Sequence, residues 1–239
     1  MNATLPRVVL VHGAFSDSSG FARLSTLLDH AHIPHVAAPN PLRGLHTDAA
    51  AIGAVVEAID GPVVLVGHSY GGAVISQAAA NLTNVTGLVY LAGFALEAGE
   101  SVMSSQHSFP PSLIGKAARP TPYEAHGSAG GPDVYLATDL FPEVVAADLP
   151  AEAVAVMAAS QRPIAHAALT EPATAAAWHT IPSWYLLAGQ DRALVPEAQA
   201  FMADRMNATT ASVLSSHAVH IAHPEVAVAL IREATERRS

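Results

Sequence analysis

An α/β fold follows from three features of the 239-residue sequence. Six short runs rich in Val, Leu and Ala lack polar–apolar alternation, as strands buried on both faces do. Helical periodicity fills most of the intervals between them, which places parallel strands in one sheet with helices on both sides. The interval between the fourth and fifth runs is far longer than the few residues that ordinarily join elements, and it predicts an insertion.

The first run is Arg7-Val8-Val9-Leu10-Val11, ending at His12-Gly13. Ser18 or Ser19 then offers an N-cap for a helix through Phe21, Leu24, Leu27 and Leu28. His35-Val36-Ala37-Ala38 is the second strand, stopped by Pro39 and Pro41. A helix over residues 47–59 aligns Ile52, Val55, Val56 and Ile59 on one face, and Gly61-Pro62 breaks it. Val63-Val64-Leu65-Val66 is the third strand, followed after a glycine-rich turn by a helix to Asn81. Residues 85–91 form the fourth strand and 184–187 the fifth; a helix over 196–206 leads to the sixth at 210–214. A last helix starts near Pro224, where Pro suits the first turn.

This divides the chain into a core of residues 1–93 and 181–239 and a cap over 94–180. The first part of the cap, to Pro132, is rich in Pro, Gly and Ser and is expected to be irregular. Helices are expected over 142–147, 152–160 and 164–169.

Composition excludes several functions. The 20 acidic and 11 basic side chains give a formal charge of −9, which offers no attraction to nucleic acid or an anionic membrane. With 51% apolar and only 13% charged residues the chain is not intrinsically disordered. Cysteine is absent, so disulfides, thiolate metal sites and cysteine nucleophiles are all excluded. The beginning Met1-Asn2-Ala3-Thr4-Leu5-Pro6-Arg7 lacks the pattern of a signal peptide, and a cytoplasmic location is expected.

The strongest chemical signal is Gly67-His68-Ser69-Tyr70-Gly71, a G-x-S-x-G pattern between a Val-rich strand and a helix. Glycines allow the sharp strand-to-helix turn, the serine stands exposed at its tip, and the helix N-terminus favours developing negative charge there. Gly72 lets the helix pack closely on the sheet. His12-Gly13-Ala14-Phe15 opens at the same sheet edge, so the backbone N–H groups of Ala14 and Tyr70 are candidate oxyanion donors. His12 is expected to brace that loop.

A serine nucleophile needs a base and a group to orient the base. Of thirteen histidines, His30, His32, His35 and His46 fall on early helices or loops, and His107, His126, His166 and His179 in or beside the cap. His217, His220 and His223 follow the last strand, and His217, three residues after Leu214, is the best base. His220 and His223 are expected to pack or cap, since no H-E-x-x-H or comparable acidic pattern marks a metal site. Asp191, in Gly189-Gln190-Asp191-Arg192 after the fifth strand, is the first candidate acid; Glu97 is the second, and Asp17 reads as a turn or cap residue.

Together, Val8-Val9-Leu10-Val11-His12-Gly13-Ala14, Gly67-His68-Ser69-Tyr70-Gly71-Gly72, Gly189-Gln190-Asp191 and Ser216-His217-Ala218 with Pro224 resemble the α/β-hydrolase superfamily. Within it the chain is similar to the small esterase and hydroxynitrile lyase group, which includes plant methyl esterases and bacterial pyrethroid-hydrolase-like carboxylesterases. The resemblance implies a Ser69, Asp191, His217 triad, an oxyanion hole at Ala14 and Tyr70, and no cofactor or metal. It also implies strand order 2-1-3-4-5-6, without the first two strands of the full family sheet. Lyases of this group carry a threonine in the oxyanion loop and a lysine after the histidine, where this chain has Gly13 and Ala218.

The expected function is hydrolysis of small to medium apolar carboxylic esters. The cap's Phe94, Phe109, Tyr123, Tyr135, Phe141 and Met157 supply pocket wall or packing. A lyase, a cofactor-free oxygenase, an acyltransferase or a slow-turnover binding protein could use the same fold. Partners are a small-molecule ester, with neither nucleic acid nor membrane, and the sequence leaves open whether two chains pair as a homodimer.

Overall fold

Val8 and Leu10 pack into one hydrophobic cluster and Val9 and Val11 into another. A strand whose two faces are both apolar must lie in the middle layer of three. The computed structural model of the chain, which describes residues 5–125 and 128–237, has that arrangement. His126 and the leading residues Met1 to Thr4 lie outside the described residues.

The chain runs β1 (Arg7–Val11), α1 (Ala22–His30), β2 (His35–Ala38), α2 (Leu45–Glu57), β3 (Val63–His68), α3 (Tyr70–Ala79) and β4 (Val85–Leu91). The insertion carries α4 (Ile114–Ala117), β5 (Ala118–Ala125), β6 (Ser128–Leu136), α5 (Phe141–Val145), α6 (Ala151–Ala159), β7 (Ile164–Ala165) and α7 (His166–Thr170). The core resumes with β8 (Ser183–Ala188), α8 (Pro196–Arg205), β9 (Thr209–Val213), α9 (Val219–Ala222) and α10 (Pro224–Glu236).

The main sheet has the order β2-β1-β3-β4-β8-β9 with every pairing parallel. Counting core strands alone, this is the order 2-1-3-4-5-6. One face packs on α1 and α10 through Leu24, Leu28, Leu230 and Ile231; the other packs on α2, α3, α8 and the insertion. Register brings Val11 beside Gly67, and His68 beside Leu91, so the turns after β1, β3 and β4 open at one carboxyl edge. Among the described residues no helix is long and apolar enough to cross a membrane.

Two local expectations need correction. Asp17, not Ser18 or Ser19, caps the first helical turn, its carboxylate accepting the Ser19 N–H at 2.8 Å. The Pro- and Gly-rich start of the insertion is not irregular throughout. Its β5 and β6 pair antiparallel from Ala118 opposite Leu136, and β7 joins through Asp133 and Val134. Pro120 and Pro122 lie on β5, an edge strand of the order β5-β6-β7, where a missing N–H costs little.

Candidate active site

Ser69 sits between β3 and α3 at φ 53° and ψ −123°. A non-glycine residue in that region stores about 1–3 kcal/mol of strain, so the surroundings must hold it. Its N–H donates to Leu91 O (3.2 Å), and its carbonyl accepts the N–H groups of Gly72 (2.9 Å) and Phe94 (3.0 Å). The turn is too tight for a side chain at Gly67, whose Cβ would lie 2.5 Å from Gly71 O and 2.6 Å from Gly72 N.

The loop after β1 presses against this turn. A Cβ on Gly13 would stand 2.7 Å from Ser69 Cβ. His12 braces the loop: Nε2 accepts the Asn40 N–H (3.0 Å), which puts the ring proton on Nδ1, and Nδ1 donates to Gly13 O (2.9 Å). The Asn40 amide closes the brace by donating to His12 O at 2.9 Å. Burial lowers the His12 pKa and keeps the ring neutral for this role. The backbone N–H groups of Ala14 and Tyr70 take no part in the turn, loop and cap bonds of the described residues, and both residues border the cavity at Ser69.

His217 and Asp191 meet although they are 26 positions apart: Nδ1 donates to Asp191 Oδ2 at 2.6 Å, with both residues buried. That bond leaves Nε2 as the imidazole's free lone pair. Asp191 is held by Ala193 N–H (2.7 Å) and Leu194 N–H (2.9 Å) on Oδ1, and by the Gln199 amide (2.9 Å) on Oδ2. Gln199 is itself fixed on α8, donating to Leu194 O and accepting from Ala188 N–H. Glu97, the second candidate acid, pairs instead with His179 at 2.9 Å near the surface. Ser69 and His217 line one cavity without a hydrogen bond joining them, a looseness common before substrate is in place.

His68, which sequence reasoning left without a role, braces His217. Its Nε2 donates to the His217 carbonyl (3.0 Å), and its ring lies 4.8 Å from the His217 ring and 4.1 Å from that of His220. Burial and the neighbouring histidines push the His68 pKa well below its ordinary value. His220, packed 5.1 Å from Phe21, is pushed down to about 3, mainly by burial. Both rings therefore stay neutral beside His217. Neither His68 nor Gln199 stands out by pattern, since each is defined by the partner it meets, 149 positions away for His68 and 8 for Gln199.

The cavity runs from Ser69 and His217 under the insertion. Phe94, Phe141 and Met157 line it with Val102, Ile114 and Leu169. Phe109 packs at a tilt against Phe201 instead, Tyr123 is exposed, and Tyr135 lies outside the lining. Among the described residues no Asp, Glu, Lys or Arg side chain borders the cavity. None of the described His, Asp and Glu side chains gather in a group of three able to hold a metal ion.

A serine at a strained strand-to-helix turn and a buried His–Asp pair, all at the carboxyl edge of this sheet, define the architecture of an α/β hydrolase. The chain belongs to the alpha/beta hydrolase family, which it matches over residues 8–230. It is 28% identical over 183 residues to the alpha/beta hydrolase nvfD of Aspergillus novofumigatus, covering 72% of this chain and 69% of that one. Its fold is shared with polyneuridine aldehyde esterase (TM-score 0.81, 17% identity, 97% of this chain and 100% of the other). It is shared also with a pyrethroid hydrolase from Sphingobium faniae (TM-score 0.78, 19% identity, 98% of each chain).

Proposed function

We propose that this protein is a serine esterase that cleaves uncharged carboxylic esters of small to medium size. Ser69 Oγ attacks the ester carbonyl while His217 Nε2 takes its proton. Asp191 holds the imidazole in the Nδ1–H tautomer and stabilises the imidazolium. The oxyanion accepts hydrogen bonds from the Ala14 and Tyr70 N–H groups. Collapse of the tetrahedral intermediate expels the alcohol, protonated by His217, and leaves an acyl group on Ser69. Water, deprotonated by His217, then releases the acid and restores the serine.

The observation that carries this reading is the 2.6 Å His217–Asp191 pair bordering the same cavity as Ser69. The uncharged lining supports the substrate class, because a charged ester entering it would lose its hydration without a partner. The names of the structural neighbours, an esterase and a pyrethroid hydrolase, agree with ester chemistry.

Hydrolysis of p-nitrophenyl esters from acetate to decanoate tests it. Turnover is expected to peak below decanoate, as the acyl chain fills the apolar cavity, and to vanish in Ser69→Ala. Folded protein that cleaves none of these esters, or a Ser69→Ala variant that cleaves them as well as the wild type, overturns the proposal.

A further inference from the structure

We propose that Asp148, in the insertion, is a positioning residue for His217; this rests on the reading of His217 as the base. The loop bearing His217 is held from two sides. On the sheet side its carbonyls are taken, Ser215 O by Gln190 N–H (2.9 Å) and His217 O by His68 Nε2 (3.0 Å). On the other side its donors run to the end of α5 and the stretch following it. Asp148 Oδ2 accepts the Ser216 N–H (2.9 Å) and the Ser215 hydroxyl (2.8 Å), and Asp148 Oδ1 accepts the Ser216 hydroxyl. The Val145 carbonyl accepts the Ala218 N–H (2.9 Å) and stands 3.1 Å from Ser216 Oγ as the alternative acceptor for its single proton. Residues on both flanks of the base are thus tied to two positions of the insertion, Val145 and Asp148, 67 or more places away in sequence.

Ser215 and Ser216 are buried while Asp148 reaches the surface, so water entering in place of the carboxylate could satisfy these donors but would not tie the loop to the insertion. Burial alone would raise the Asp148 pKa, but the bonds from Ser216 and Ser215 outweigh it and hold the carboxyl below its ordinary value. It therefore remains an acceptor for all three donors. The same segment reaches the turn of the acid, where Glu143 on α5 pairs with Arg192 beside Asp191. Losing the Asp148 contacts frees the loop to shift His217 relative to Ser69, and a displacement near 1 Å costs about a hundredfold in rate.

What the site needs from Asp148 is geometry, and an asparagine can supply it. Its carbonyl replaces Oδ2, and its amide donates to Ser216 Oγ, whose proton then turns to Val145 O. The experiment measures the rate at which a fluorophosphonate labels Ser69, together with kcat and KM for p-nitrophenyl butyrate. Asp148→Ala is expected to slow labelling and kcat by about tenfold or more with KM nearly unchanged, and Asp148→Asn to recover most of the loss. Labelling of Asp148→Ala at the wild-type rate, or an equal loss in both variants, overturns the proposal. Should Asp148→Ala fail to fold, Ser216→Ala is read in the same assay; slower labelling supports the role, and a wild-type rate overturns it. Absence of label on wild-type Ser69 is a separate result, which removes the catalytic reading on which the proposal rests.

Discussion

Ser69 is the residue on which local pattern and three-dimensional geometry agree most closely. G-x-S-x-G between a Val-rich strand and a helix is a signal carried by neighbours in sequence, and the turn it encodes has the strained φ of 53°. His217 and Asp191 were legible at one remove, from their places after the last two core strands. Asp148, Gln199 and His68 were not, because each is defined by its partner. Asp148 meets Ser215 across 67 positions and His68 meets the His217 carbonyl across 149, separations that no periodicity reports. Gln199 yields a residue-scale expectation. Its amide shares Asp191 Oδ2 with the imidazole, so Gln199→Leu leaves the carboxylate short of a donor and free to rotate. The expected result is a kcat lowered by about tenfold with KM little changed, since a small misplacement of the orienting group is felt mainly in the transition state. A kcat equal to wild type would show that the backbone N–H groups of Ala193 and Leu194 suffice.

At the scale of elements, the six core strands were readable because each is a short, continuous Val- or Leu-rich run or lies beside one. The insertion was harder. Its β5 contains Pro120 and Pro122 and its β6 contains Gly131 and Pro132, so local propensity argued against strands where cross-strand pairing produces them. Pairing partners such as Arg119 with Tyr135 belong to the tertiary structure and leave no local trace. Another contact between elements joins α2 to α3. The Tyr70 hydroxyl donates to the fully buried Asp48 at 2.7 Å, and Asp48 also accepts the Arg43 N–H. Burial raises the Asp48 pKa against these bonds, so the carboxylate depends on each donor it has. Tyr70→Phe keeps the backbone N–H but removes one donor, and a loss of about 1–3 kcal/mol is expected from the urea midpoint. An unchanged midpoint would mean that the Arg43 N–H alone satisfies Asp48.

Across the whole molecule, three buried histidines couple folding to pH. His12, His68 and His220 all have lowered pKa values, the last about 3, against an ordinary 6.5. Between those limits the unfolded chain binds protons that the folded chain refuses, so stability is complete above about 6.5 and falls as the pH drops through this window. Asp17, Glu100, Asp148 and Glu171, all with lowered pKa values, add to the loss only below their ordinary 3.8 or 4.5. From about pH 6.5 to 4.5 the histidines therefore set the loss, with the raised pKa of Asp48 working against them. The melting temperature is expected to decline across it, and His220→Phe, which keeps an aromatic ring against Phe21, is expected to make the decline shallower. A melting temperature constant over that interval would contradict the buried, neutral state of these rings. The central claim concerns the site itself, that Ser69 is a nucleophile activated by His217. The most direct measurement is peptide mass spectrometry after fluorophosphonate treatment of the wild type and of His217→Gln. One label per chain on Ser69, formed at least about a hundredfold more slowly without the imidazole, is the expected result. No label, a label on another residue, or an equal rate in the two proteins would contradict it.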